Sequence, residues 1–183
     1  PFQRLPPIVS LWKYCNTIFL ESNADESTLS ESSPGTFADL NNDINGNSDS
    51  TIYLTRNYTY AGENDYHQIN IDRAVTIYGN GITIKGASDN RIFYISNDVT
   101  LTDINFVNSN DGAICINNYH SNVNINNCTF IETHALQGGA IYVGVDCTNI
   151  NINNCTFIEN HARLQGGAIY VGMLCTNINF NNC

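Results

Sequence analysis

The sequence contains few basic residues. Lys and Arg number seven against 17 Asp and Glu, and the formal net charge at pH 7 is −10. Nucleic acids and anionic membranes are bound by basic surfaces, so neither is expected as a main partner of this chain.

A long uninterrupted apolar run is also absent. Residues 6–20 are apolar, but Lys13 and Asn16 interrupt them. No transmembrane segment is therefore expected, and without a basic start or a small-residue cleavage site the stretch is a poor secretory signal. We interpret residues 1–35 as the remnant of a leader followed by a disordered linker, because residues 21–33, "ESNADESTLSESS", are acidic, Ser-rich and almost without apolar side chains.

The sequence is rich in internal repetition. "NNCTFIETHALQGGAIYVG" (residues 126–144) returns as "NNCTFIENHARLQGGAIYVG" (residues 153–172), with Arg163 inserted. Weaker copies precede it, in which apolar residues recur every 23 to 28 residues in two columns. The first column contains Ile52, Val75, Val99, Val123, Ile150 and Ile178. The second column contains Leu54, Ile77, Leu101, Ile125, Ile152 and Phe180.

Apolar residues of the two columns alternate with polar residues along the chain. This two-residue period is typical of a β-strand. The last full repeat predicts three short strands, at residues 149–152, 155–158 and 167–171. A period of this length with three short strands is typical of one coil of a parallel β-helix, in which equivalent residues stack. We therefore predict that residues 36–183 form an all-β, single-stranded, right-handed parallel β-helix. Because the sequence stops inside a repeated phrase, we expect further coils after Cys183.

Two sets of corner residues are predicted to have positive φ, because Asn, Asp and Gly tolerate left-handed backbone. One set contains Asp103, Asn127, Asn154 and Asn182, and the other contains Asp111, Gly138 and Gly166.

A short helix is predicted at residues 36–44, "TFADLNNDI". Phe37, Leu40 and Ile44 have helical spacing, and Thr36 is the expected N-cap. Such a helix would cover the open strand edges of the first coil.

Several stretches of the chain carry a family resemblance. The phrases at residues 35–60, 69–86 and 92–109 resemble archaeal adhesin-like surface proteins with pectate-lyase-type right-handed β-helices, although Tyr78 stands where relatives often have an acidic residue. "GGAIY" at 138–142 and 166–170 resembles the GGAI element of chlamydial polymorphic outer-membrane protein repeats. The partner FxxN element is matched only by Phe157–Asn160. The resemblance implies a secreted or surface-attached protein with an adhesive or structural role, and it brings no catalytic residues.

The cysteines favour buried thiols over a disulfide framework. There are seven, and none lies in a Cys-x-x-Cys motif. Cys128, Cys155 and Cys183 share a column with Ile104, which predicts an inward position. Disulfides within this column are a less favoured alternative. A second column contains His120, Cys147 and Cys175, for which zinc binding is the less favoured alternative. No cofactor or metal is expected.

Catalytic motifs are scarce. Asp-Asp, His-Gly and Arg-x-Lys, which related β-helix enzymes carry, do not occur. Glu132 and Glu159 share one column, and His134 and His161 share another. An acid–base pair of Glu159 and His161 is conceivable, but Asn replaces both residues one coil earlier, which favours a solvated outer face. We predict that the segment has no enzymatic activity.

Aromatic side chains and sequons are the remaining candidate sites. Tyr94, Tyr142 and Tyr170 align on the face opposite the inward Ile and Val, and they could hold sugar rings or a partner protein. Possible N-glycosylation sites are Asn57, Asn127 and Asn154. Asn57 is the better acceptor, because the other two are expected to stack in turns.

These observations predict a non-enzymatic, adhesin-like β-helix module that is secreted or displayed at the cell surface as part of a longer stalk. Its expected partners are surface glycans or other cell-surface proteins. Two alternatives remain: a fragment of a carbohydrate-active β-helix lyase or hydrolase whose catalytic coils lie outside this segment, and a purely structural spacer.

Overall fold

A computed structural model describes residues 33–87 and 89–183. The predicted fold is confirmed there: a right-handed parallel β-helix of about 5 turns with one short helix near its N-terminal end. Each strand pair in the described residues is parallel. The leader and most of the linker predicted within residues 1–35 lie outside the described part of the chain.

Helix α1 (Phe37–Asn45) begins and packs as the sequence predicts. The Thr36 side chain accepts a hydrogen bond from the Asp39 backbone, and the Asp39 side chain accepts one from the Thr36 backbone, which forms a capping box. Phe37, Leu40 and Ile44 are buried against the first coil. Within residues 33–87 and 89–183, no helix has the length and apolarity needed to cross a membrane.

Tyr58 ties this helix to the second strand. Its side chain is buried, and its hydroxyl donates to the Asp43 carboxylate over 2.6 Å. Burial, and then the bond to Asp43, raises the pKa of Tyr58 above its ordinary value. Both effects favour the protonated phenol.

Sixteen strands follow the helix in the described residues. They are β1 (Thr51–Tyr53), β2 (Tyr58–Thr59), β3 (Ile69–Ile71), β4 (Val75–Lys85), β5 (Phe93–Ile95), β6 (Val99–Val107), β7 (Ile114–Ile116), β8 (Ser121–Asn126), β9 (Thr129–Ile131), β10 (His134–Gln137), β11 (Ile141–Val143), β12 (Thr148–Asn153), β13 (Thr156–Ile158), β14 (His161–Gln165), β15 (Ile169–Val171) and β16 (Thr176–Asn181).

The strands form three faces around one core. The first sheet runs β1-β4-β6-β8-β12-β16. The second face is formed by β2, the ends of β4 and β6, and then β9 and β13. The third sheet runs β15-β11-β7-β5-β3. Strands β10 and β14 pair separately, so the last two coils contain a fourth strand that the sequence analysis did not predict.

The core consists of like residues stacked between coils. On the first sheet Ile77, Leu101 and Ile125 are each 0% exposed. On the second face Phe106, Phe130 and Phe157 stack with ring centroids 5.0 Å apart. Buried side chains of this kind each stabilise a fold by about 1.5–3 kcal/mol.

The register of the predicted columns holds from β4 onwards, but it is wrong for β1. Ile52 pairs with Ile77, not with Val75, so the first strand is shifted by two residues. Ile52 and Leu54 are nevertheless both buried. A shift of two residues keeps the same side chains facing inward, and burial alternation therefore cannot reveal it.

The corner prediction is confirmed in one set and corrected in the other. Asp103, Asn127, Asn154 and Asn182 have φ between 52° and 56°. In the second set, Gly138 and Gly166 have positive φ, but the left-handed residue of the earlier coil is Gly112 (φ 79°) and not Asp111. Glycine adopts this conformation at least cost, so the turn uses the glycine where both residues are available.

The glycines that precede β11 and β15 give a matched test of coil stacking. A Cβ atom on Gly139 would lie 2.2 Å from the Gly167 carbonyl oxygen, whereas a Cβ atom on Gly167 would have only the Asn160 oxygen nearby, at 3.9 Å. We expect Gly139→Ala to destabilise the chain by about 1–3 kcal/mol and Gly167→Ala to change it by less than about 0.5 kcal/mol. Urea unfolding followed by circular dichroism measures both, and equal midpoints would contradict this stacking.

The Tyr58–Asp43 contact predicts a pH dependence. Because the folded-state pKa of Tyr58 is raised, its contribution is fully present below the unfolded pKa of about 10 and is lost as the pH rises beyond it, by up to about 1.4 kcal/mol per pH unit. The unfolding midpoint is measured at several pH values below and above 10. As the pH rises above 10, the midpoint should fall more steeply for the natural chain than for Tyr58→Phe. Parallel pH profiles would show that Tyr58 ionises freely.

Candidate functional site

Tyr94, Tyr142 and Tyr170 form a column on the outer side of the third sheet; we call it the tyrosine column. They occupy equivalent positions in β5, β11 and β15, with Cys115 of β7 between the first two. The rings of Tyr142 and Tyr170 stack, with centroids 5.3 Å apart and planes inclined by 14°. Burial, followed by the neighbouring Tyr170, raises the pKa of Tyr142.

Cys115 interrupts the tyrosine column. It lies on the outward side of β7, yet only 6% of its surface is exposed. Burial raises the pKa of its thiol, and the charge of Arg91 opposes that rise. Arg91 forms an ion pair of 3.0 Å with the Asp111 carboxylate and donates a second bond, also of 3.0 Å, to the Asp111 carbonyl oxygen. The tyrosine column is thus interrupted by the small Cys115, near which the Arg91–Asp111 ion pair is fixed.

A groove of about 610 Å³ opens next to this ion pair. It is lined by Asn110, Asp111, His134, Ala135, Leu136, His161 and Arg163. Asp111 links the groove to the tyrosine column, since it lines the groove and also holds Arg91, whose charge acts on Tyr142. The groove is thus linked to the tyrosine column through Asp111 and Arg91, and no tyrosine of the column lines it.

Arg163, the residue inserted in the second long repeat, shapes one wall of the groove. His134 pairs with His161 and Gln137 pairs with Gln165, and a register shift between these pairs accommodates the insertion. The result is a β-bulge, which lets one strand bend while the pairing on both sides continues. Beside this bulge, Leu136 and Leu164 have 58% and 66% of their surfaces exposed.

The histidines lie in the groove wall, whereas the glutamates lie at corners outside the groove. The rings of His134 and His161 lie 6.3 Å apart in the groove wall. Glu132 and Glu159 are exposed corner residues with φ of 52° and 54°, and neither lines the groove. The favoured interpretation of the glutamates as solvated residues agrees with this position.

A metal site is not formed by the cysteine and histidine columns. In residues 33–87 and 89–183, no three His, Cys, Asp or Glu side chains are close enough together to hold an ion. The described cysteines are free thiols. Cys128 and Cys155 are inward and buried like Ile104, as predicted. The interaction between the two thiols raises the pKa of Cys128 and lowers that of Cys155. Cys183, which was predicted to share this inward column, is exposed.

The three sequon asparagines are exposed. Asn57 uses its side-chain oxygen to accept a bond of 2.8 Å from the Thr83 backbone, which leaves its position at the surface well defined. Asn154 is engaged in the predicted turn stack, because its oxygen accepts from the Asn182 side chain over 2.9 Å. Glycosylation at these residues and at Asn127 stays a prediction.

A second tyrosine stack, not predicted from the sequence, lies on the first sheet. Tyr53 and Tyr78 pair across β1 and β4, with ring centroids 5.2 Å apart and planes inclined by 12°. The two-residue register error concealed this pair. The repeated tripeptide "TIY", at 51–53 and 76–78, was the signal that could have revealed it.

The coil that carries Tyr170 matches a known family of repeats. A family model described as the Chlamydia polymorphic membrane protein (Chlamydia_PMP) repeat matches residues 154–172. This coil resembles that repeat. The match includes both sequence elements that carry the resemblance, FxxN at Phe157–Asn160 and "GGAIY" at 166–170. No curated protein and no solved structure matches the chain significantly. The repeat and the β-solenoid together fit a β-helix module of a surface protein.

The covered position of Cys115 predicts slow chemical modification. At about pH 8, iodoacetamide should alkylate Cys183, which is exposed, at least about 10-fold faster than Cys115, because the thiolate is the reactive form and burial raises the pKa of Cys115. Peptide mass spectrometry of timed samples measures both rates. In urea the two rates should converge, whereas equal rates in the native protein would show that the tyrosines do not cover Cys115.

Proposed function

We propose that this chain is a non-enzymatic, adhesin-like module of a cell-surface protein, and that it binds glycans through the tyrosine column and the groove beside it. The observation that carries the proposal is the stacked pair of Tyr142 and Tyr170, which the Arg91–Asp111 ion pair links to a polar groove. Displayed at the surface, the module would use the same site to contact glycans on host or partner surfaces.

Stacked tyrosines suit a sugar ligand for a physical reason. A tyrosine ring offers a flat apolar surface and a polar tip, and a sugar ring likewise combines apolar C–H groups with hydroxyls. Asn110 and the two groove histidines can exchange hydrogen bonds with such hydroxyls. The strands that carry the rings are part of a rigid ladder, which reduces the entropy lost on binding.

The composition of the groove argues for binding without turnover. Glycoside hydrolysis requires two carboxylic groups about 6.5–9.5 Å apart for inversion, or about 5–5.5 Å apart for retention. One carboxylate, Asp111, lines the groove, and it is engaged by Arg91. This supports the adhesin over the enzyme, although an enzyme with catalytic coils elsewhere remains the alternative.

The repeating coils and the charge of the chain suit a surface module. Coils added in register lengthen a β-helix without requiring a new core. Such a fold can therefore extend a binding site away from the cell surface. The net charge of −10 favours solubility and disfavours attachment to nucleic acid. Secretion and surface display are part of this proposal, and the match to a membrane-protein repeat supports them.

The proposal predicts that the tyrosine column determines glycan retention. The double variant Tyr142→Ala/Tyr170→Ala should bind a retained glycan about 10–100-fold more weakly than the natural chain, because each aromatic contact contributes about 0.5–1.5 kcal/mol beyond its buried area. Binding is measured on a panel of plant, mucosal and microbial polysaccharides, and then by titration with the best ligand. Tyr66→Ala is the control, since Tyr66 is exposed but lies outside the tyrosine column.

Each rival has its own outcome in this experiment. Retention on none of the glycans would favour the structural spacer. New reducing or unsaturated ends in the incubated polysaccharide would favour the enzyme. Equal weakening by the double variant and by Tyr66→Ala would show that the site is elsewhere.

A further inference from the structure

The outer side of the first sheet carries two straight columns of uncharged polar side chains; we call it the amide face. The first column contains Thr51, Thr76, Thr100, Asn124, Asn151 and Asn179. The second column contains Tyr53, Tyr78, Thr102, Asn126, Asn153 and Asn181. All twelve side chains are at least partly exposed. The residues between the two columns in the first five strands are buried in the core, namely Ile52, Ile77, Leu101, Ile125 and Ile152.

The amide face is neutral although the chain as a whole carries a charge of −10. Neither column contains a charged residue in any of the six strands. A shallow groove of about 390 Å³ crosses its N-terminal half, between Thr51 and Asn124. The groove has one carboxylate at its rim, Asp98, which accepts a bond of 3.2 Å from the Asn122 side chain.

Hydrogen bonds between coils hold the asparagines of both columns in place. In the first column Asn151 donates to Asn124 over 3.0 Å, and Asn179 donates to Asn151 over 2.9 Å. Asn153 and Asn181 repeat this arrangement in the second column, at 2.9 Å and 2.7 Å. A side-chain amide has two N–H donors and two acceptor lone pairs. An asparagine inside the ladder uses one of each and keeps one of each for a ligand.

The free groups form a regular array. Successive coils are about 4.8 Å apart, and alternate residues of one strand are about 6.6 Å apart. Because the amides are already fixed by the ladder, a ligand does not have to immobilise them, which lowers the entropic cost of binding. A ligand that matches the array must itself be extended, repetitive and rich in hydroxyl groups.

An aromatic platform completes the array at its N-terminal end. Tyr53 and Tyr78 stack there, and Tyr53 is 64% exposed. Aromatic rings beside hydroxyls and amides bind ligands that have apolar and polar surfaces together. The neutrality of the face disfavours an ionic ligand, because no opposite charge compensates for the loss of its hydration.

We infer that the amide face is a binding surface for an extended, uncharged polysaccharide whose chain lies along the β-helix axis. A sugar residue is about as long as the spacing between coils, about 4.8 Å, so one sugar can meet one coil. The hydroxyls bind the free N–H and carbonyl groups of the asparagines and the threonine hydroxyls. The surface is on a different sheet from the tyrosine column and does not depend on it.

The test is adsorption of the purified chain to insoluble cellulose and insoluble chitin, with gelled polygalacturonate as the anionic comparison. We expect depletion from solution by one or both of the neutral polymers and none by polygalacturonate. Since no ion pairs are involved, adsorption should be unchanged between about 0.05 M and about 0.5 M NaCl.

Two matched variants locate the surface. Thr100→Lys places a long charged side chain in the centre of the amide face, and we expect at least a tenfold loss of adsorption. Thr129→Lys makes the same change at a half-exposed threonine on the second face, and it should adsorb like the natural chain. Both variants are first compared with the natural chain by thermal unfolding, and only folded proteins are tested.

The remaining outcomes overturn the inference. No adsorption of the natural chain, preference for polygalacturonate, or equal adsorption by Thr100→Lys and Thr129→Lys would each show that the amide face binds no neutral polymer. The double variant Tyr142→Ala/Tyr170→Ala should adsorb normally. If that variant alone fails to adsorb, the polymer is held by the tyrosine column, and the proposed function stands without this second surface.

Discussion

The in-register stacking of identical or similar side chains between coils is the constraint on which this structure depends. Parallel pairing places each residue directly over its counterpart in the neighbouring coil, at a spacing of about 4.8 Å. In the core this puts Phe106, Phe130 and Phe157 in one stack and the branched aliphatic residues in others. At some turns this spacing leaves no room for a side chain. A Cβ atom on Gly139, for example, would collide with the backbone of the next coil.

The same constraint organises the surface. Once the core residues are stacked, the outward residues of each strand are stacked too, whether or not they contribute to stability. Tyr142 over Tyr170 and Asn124 under Asn151 are both consequences of pairings that the core requires. A repeat that is copied to extend the core therefore also copies its surface chemistry, and the copies form lines of one residue type along the axis. Lines of aromatic rings and amides are suited to ligands that are themselves repetitive.

Much of this arrangement was predictable from the sequence, and the exceptions have physical causes. The columns from Val75 onwards and the N-cap at Thr36 follow from strand alternation, repeat length and helix capping. The register of β1 was predicted wrongly, because a shift by two residues leaves Ile52 facing inward. The pair of β10 and β14 was missed because its residues are mostly exposed and have no apolar alternation. The burial of the outward-facing Cys115 was not predicted, because it depends on the size of the residues beside it in the neighbouring coils. Strand alternation indicates only which side of the sheet a residue faces.

The bulge at Arg163 allows a coil to become one residue longer without a change in the register of its core. The phenylalanines before it and the isoleucines after it remain paired with their counterparts, Phe157 with Phe130 and Ile169 with Ile141. One residue can thus be gained in this wall while the scaffold is unchanged. Copies of the repeat are free to diverge in this segment, and the groove can acquire a new shape by insertion as well as by exchange of side chains.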